Sequence, residues 1–209
     1  MTPNQFEVLA RTYCDHLPAS PADGVFLVGQ TPSNQESVLK KGAELVKNGH
    51  AKKILLLDCG AVSGYPGVDV WLEELKALGM SDEQLEPIPH SDPNMIHTRL
   101  EAGSLMAHAK AKEYRSIIIC SPSFHQPRSF MTAITMALEE YPEVKVYSQA
   151  GDYLPWTESA IHSQGKAAGT RVDILHGELE RIYKYQGFGD LASFEAVLEY
   201  LNRREGWPN

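Results

Sequence analysis

Two hydrophobic spacings alternate along this chain. Val25-Phe26-Leu27-Val28, Ile54-Leu55-Leu56-Leu57, Ile117-Ile118-Ile119 and Val144 to Tyr147 are short apolar runs without alternation, the pattern of strands buried on both faces. Between them apolar residues recur every three to four positions. Phe6, Leu9, Ala10, Tyr13 and Leu17 predict a packing helix over 5–17, stopped by Pro18. Val38, Leu39, Gly42, Ala43 and Val46 predict a helix whose start, Ser33 to Glu36, has capping-box spacing. Val68, Trp71, Leu72 and Leu75 predict the next, and Pro87-Ile88-Pro89 a weak strand. A helix over 95–112 buries Ala102, Leu105, Met106 and Ala109. Another, led by Pro127, buries Phe130, Ile134 and Leu138. Residues 148–165 read as a long loop near the site. Two closing helices carry Val172, Leu175, Leu179 and Ile182, then Phe194, Val197, Leu198 and Leu201. Strands alternating with helices predict a doubly wound α/β domain of about five parallel strands, covered by helices on both faces. The whole chain, 1–209, reads as one domain, with a packing helix inside 1–22 and helices over 170–209.

Composition narrows the partners. The formal net charge is −8, which argues against nucleic acid, because neutralising phosphates needs a basic face. Hydrophobic residues at 43% and charged residues at 22% exclude a largely disordered chain. No apolar run is long enough to span a membrane, and the first residues lack a signal-like pattern, so the expectation is a cytoplasmic protein. Cys14, Cys59 and Cys120 are odd in number and far apart, and two of them end buried-strand patterns, which predicts reduced core thiols and no disulfide. The eight histidines show no zinc-like spacing, so no metal is expected.

The chemistry concentrates after the third apolar run, in Ser121-Pro122-Ser123-Phe124-His125-Gln126-Pro127-Arg128. Proline favours the first helical turn, so free amides and the helix dipole would face this loop. His125 supplies a group that titrates near neutrality, and Arg128 a fixed fork of donors able to grip a phosphate or carboxylate through two parallel bonds. Ser121 sits at the end of the same strand. Gly29 and Gln30 form the first strand-to-helix turn, which lacks the three glycines of a dinucleotide fingerprint. Gly60 opens a glycine-containing loop after the second strand, where backbone can approach a ligand. Thr98 and Glu101 are three apart and share a helical face, either into the cleft or along a solvated stripe. Glu178 and Arg181 read as a surface ion pair. Gly-x-Ser-x-Gly is absent, so an esterase reading is poor.

These residues carry a resemblance. Phe124-His125-Gln126-Pro127-Arg128-Ser129 matches the aromatic-His-x-Pro-Arg-small signature of the bacterial YdcF, SanA and ElyC-like proteins. Phe26 to Gln30 resembles their first strand and turn, and Asp58-Cys59-Gly60 loosely resembles their second. His97-Thr98-Arg99-Leu100-Glu101 resembles their Asn-Thr helix start, with His97 in place of Asn. The resemblance implies a Rossmann-like fold, a small-molecule site at the carboxyl ends of the strands, and S-adenosylmethionine as a possible ligand. It also favours the cleft for Thr98 and Glu101. The expected site comprises His125 and Glu101 as catalytic groups, with Gly29, Gln30, Gly60, His97, Thr98, Ser121 and Arg128 as ligand contacts. Three functional readings remain open: an enzyme acting on a small anionic or nucleotide-like molecule, a sensing module using the same pocket without turnover, and a cell-envelope assembly factor. A homodimer through the carboxyl-terminal helices is compatible with all three.

Overall fold

The computed structural model describes residues 1–90, 92, 95–162 and 167–207. Its centre is a five-stranded parallel sheet in the order β3-β2-β1-β4-β5, built from β1 (Gly24–Leu27), β2 (Ile54–Asp58), β3 (Leu85–Pro89), β4 (Ser116–Cys120) and β5 (Lys145–Ser148). The middle strands are the uninterrupted apolar runs, and every residue of β1 and Ile117 to Cys120 of β4 are buried. This is the Rossmann-like doubly wound arrangement that the alternating periodicity predicts.

Helices α2 (Gln35–Lys47) and α3 (Val68–Ala77) pack on each other, as do α4 (Thr98–Ala111) and α5 (Gln126–Glu140). Close helix-on-sheet packing explains the glycine inside α2, since a Cβ on Gly42 would lie 2.7 Å from Leu27. The terminal helices α1 (Pro3–Tyr13), α6 (Arg171–Phe188) and α7 (Phe194–Glu205) all pack against α5. Both sheet edges are blunted. β3 carries Pro87 and Pro89. On β5, Tyr200 Oη accepts from the Val146 amide and donates to the Val144 carbonyl, and Arg204 donates to the Val146 carbonyl.

Several expectations are corrected. Residues 148–165 are not all loop: β6 (Ser159–His162) and β7 (Ala167–Thr170) form an antiparallel hairpin, while residues 163–165 of that segment lie outside the described residues. The α1 face is rotated, because Val8 and Thr12 are buried while Phe6 and Tyr13 are exposed. Val172 is exposed as well. α2 starts at Gln35 behind Asn34, with no capping box from Ser33. All three cysteines are free; Cys59, just after β2, and Cys120, at the end of β4, are buried, and Cys14 is exposed. Among the described residues no helix is long and apolar enough to cross a membrane.

Candidate functional site

The strand order reverses between β1 and β4, so the loops leaving their carboxyl ends diverge and open a crevice. A cavity of about 360 Å³ lies there. The β1 loop supplies Gly29, Gln30 and Thr31, the start of α4 supplies His97, Thr98 and Glu101, and the start of α5 supplies His125 and Arg128. The amino-terminal turns of two helices therefore bring partial positive charge to one wall. His162 comes from β6, and Arg181, Lys184 and Tyr185 come from α6. A second cavity of about 480 Å³ adjoins it, sharing His97, Thr98, Arg128 and Tyr185.

The turn after β1 is shaped around Glu101. The Gly29 amide donates to Glu101 Oε2 at 2.8 Å, and a Cβ on Gly29 would lie 2.8 Å from Ile96 Cδ1, so any larger residue must displace Ile96 to keep this approach. Burial pushes the Glu101 carboxyl up to about 7, and the Gly29 amide and the Arg128 charge only partly offset this. Arg128 does not clasp Glu101. Its Nε donates to Glu178 Oε2 at 2.5 Å and its Nη1 to Thr98 Oγ1 at 2.8 Å, and its guanidinium lies 5.9 Å from the Tyr185 ring centre.

Glu178 is the principal correction. It is not on the surface: it is 1% exposed, and Arg128 and Arg181 each donate to one of its carboxylate oxygens. Burial alone would raise its carboxyl, but the Arg128 guanidinium beside it holds it well below the usual range. Around it, His125 Nε2 lies 3.6 Å from Glu178 Oε2, and His162 Nε2 lies 3.3 Å from Glu178 Oε1. Apart from this contact with Glu178, His162 Nε2 is buried without a hydrogen-bond partner among the described residues. The two imidazole centres are 4.6 Å apart. Burial, reinforced by Arg128, keeps His125 neutral with its pKa well below the ordinary value, and burial lowers His162 as well.

His162 is fixed through the backbone beside it. The Ile161 carbonyl accepts from Thr31 Oγ1 at 2.7 Å and Asn34 Nδ2 at 3.0 Å. Arg171 donates to the Ser33 and Pro155 carbonyls, each at 2.9 Å. A two-stranded hairpin has little stability of its own, and these bonds, with Phe124, Ala160 and Ile174 packed beneath, dock it against the site.

Of the nine expected site residues, seven line the cavity. His97 also caps α4, its Nδ1 accepting from the Leu100 amide at 3.3 Å, the job an asparagine would do there. Gly60 and Ser121 stand apart. Nothing lies within 4 Å of a Cβ built on Gly60, and Ser63 and Tyr65 are the residues of its loop that reach the cavity. The Ser121 amide and hydroxyl both donate to Gln126 Oε1, so this serine braces the turn after β4. Sequence reasoning missed His162, Arg181, Lys184 and the role of Glu178. One signal was present: Ile174, Glu178 and Ile182 are spaced by four and all buried, so an acid interrupts an apolar stripe.

The chain matches no protein-family model, and no curated protein matches it.

Proposed function

We propose that this protein is an enzyme that binds a small anionic, nucleotide-sized metabolite in the cavity between β1 and β4, with Glu101 moving a proton. The observation that carries the reading is the pairing, in one cavity, of three cationic side chains with a carboxyl titrating near neutrality. Arg128, Arg181 and Lys184 suit a phosphate or carboxylate. Glu101, beside them, is poised to give or take a proton at physiological pH. His125 remains neutral and presents an imidazole to the same space. The adjoining cavity at Tyr185 gives room for a larger moiety beyond the anionic group.

The resemblance to the YdcF-like proteins adds S-adenosylmethionine as a candidate. Its carboxylate suits the cations, whereas its sulfonium would meet charges of its own sign, so phosphate-bearing compounds rank first. A carboxyl held near neutrality beside the cations is suited to moving a proton at physiological pH, which favours turnover over a sensing role.

The test is thermal stability against inorganic phosphate, nucleotides, sugar phosphates, S-adenosylmethionine and S-adenosylhomocysteine, with wild type and Lys184→Ala. A true ligand at a hundred times its dissociation constant adds about 2.7 kcal/mol, a shift of about 5–10 °C at this size. The expected result is such a shift with a phosphate-bearing compound, reduced in Lys184→Ala. No shift with any anionic member refutes the reading.

A further inference from the structure

We propose that His125, His162 and Glu178 form a binding site for one divalent transition-metal ion of the zinc class at the floor of the cavity. The three come from the start of α5, from β6 and from α6, and their ligand atoms lie within 4.8 Å of one another, all buried. Two imidazoles and a carboxylate are a common donor set for such an ion. Metal–ligand bonds of about 2.0–2.1 Å in tetrahedral geometry put neighbouring ligand atoms about 3.3 Å apart. The contacts from Glu178 to His162 and His125, at 3.3 and 3.6 Å, are already close to that spacing.

A second observation points the same way. His162 Nε2 is buried, aimed into the cluster and, beyond its 3.3 Å contact with Glu178, without a hydrogen-bond partner among the described residues, in a hairpin whose Ile161 carbonyl accepts from Thr31 and Asn34 and whose exit into α6 is pinned by Arg171. A buried polar atom left unmatched costs stability, and an ion would satisfy it. For His125 to ligate through Nε2, its proton must sit on Nδ1. Gln30 lies 3.4 Å from that nitrogen and has its own Oε1 buried without a partner. Turning the amide makes Oε1 the acceptor for Nδ1–H, at the expense of the Nε2 bond to the Val28 carbonyl.

Arg128 and Arg181 oppose the ion by charge. A carboxylate has about four lone-pair directions, and the two arginines leave directions free on Glu178. Three neutral or singly charged ligands leave a coordination position open toward the cavity, where an anion would offset the summed positive charge. This last step rests on the anionic-ligand reading, and it predicts reciprocal coupling: phosphate tightens metal binding, and metal tightens phosphate binding. The other acid and histidine grouping, Asp15, His16 and Glu205, is weaker. Arg204 and Arg11 occupy its carboxylates and His16 is exposed.

The experiment is titration of chelator-treated full-length protein with Zn²⁺ by calorimetry and with Co²⁺ by visible absorption, with and without inorganic phosphate. The expected result is one ion per chain, with intense Co²⁺ bands from a low-symmetry site. Affinity falls at least about 10-fold in both His162→Ala and His162→Gln, is unchanged in His16→Ala, and rises about 5-fold or more with phosphate. Two histidine variants are used so that misfolding of one, seen by circular dichroism, leaves the other to decide. Absence of stoichiometric uptake, or uptake indifferent to His162, overturns the site. Uptake that phosphate fails to strengthen overturns the coupling and leaves the ion in place.

Discussion

Replacing Glu101 with glutamine should make the protein more stable at alkaline pH and inactive. Glu101 is buried, and its carboxyl is raised from an ordinary value of 4.5 to about 7, so the folded state binds its proton more tightly than the unfolded chain does. Stability therefore falls as pH rises above the unfolded value, and the loss is complete once pH passes the folded value. The gap between these two values corresponds to about 3 kcal/mol, spread between pH 4.5 and 8 and steepest from 5 to 7. Glutamine matches the protonated acid in size, and its carbonyl oxygen can accept the Gly29 amide as Glu101 Oε2 does. Denaturant unfolding of wild type and Glu101→Gln across this range is the assay. The variant's advantage should grow from near zero at pH 4.5 to about 3 kcal/mol at pH 8. The difference curve isolates Glu101, since histidine contributions common to both proteins cancel. A flat difference curve would refute the reasoning, showing that the carboxyl ionises as if solvated.

Gly29→Ala should cost about 1–3 kcal/mol and weaken ligand binding, because its Cβ meets Ile96 at 2.8 Å and Glu101 Oε2 at 3.4 Å. Gly60→Ala, with nothing within 4 Å, should stay within about 0.5 kcal/mol; equal effects in denaturant unfolding would contradict this placement. Arg128→Met should cost about 3 kcal/mol, the lower end for a broken buried pair because Arg181 still holds Glu178, and a cost under about 1 kcal/mol would show that the pair is not sequestered from water. Ser121→Ala should lose about 1 kcal/mol while ligand-induced thermal shifts stay unchanged, since its hydroxyl serves only Gln126.

The sheet and one side of the site were legible in the sequence for the same reason. Strands buried on both faces are written as unbroken apolar runs, and the residues just after them, Gly29, Gln30, His125 and Arg128, are placed by topology alone. The other side was not. β6 and β7 read Ser-Ala-Ile-His and Ala-Ala-Gly-Thr, too short and small to show alternation, and they are held by Thr31 and Asn34, more than a hundred residues away in the chain. In α6 the apolar residues fit more than one helical face, and a stripe through Val172 and Leu175 looks as good as the buried one through Ile174 and Ile182. Only the partners of Glu178 separate them, and those partners are contributed by distant segments. The same limit explains α1, where Val8 and Thr12 are buried and Phe6 is not.

The two buried carboxylates show how one cavity can give the same functional group opposite environments. Glu178, bracketed by Arg128 and Arg181, stays ionised throughout the neutral range and can hold charge but not supply a proton. Glu101 bonds the Gly29 amide and makes no ion pair with Arg128, so burial outweighs both and it titrates at about 7. Environments that push two acids apart in this way separate the proton carrier from the electrostatic support. The proposed proton transfer by Glu101 therefore predicts a pH profile of turnover with one limb near 7 that disappears in Glu101→Gln, and no limb from Glu178 between pH 5.5 and 8.5. Rates falling as pH rises through 7 would make Glu101 the acid, and rates rising would make it the base. A profile flat across that range would remove Glu101 from the chemistry altogether.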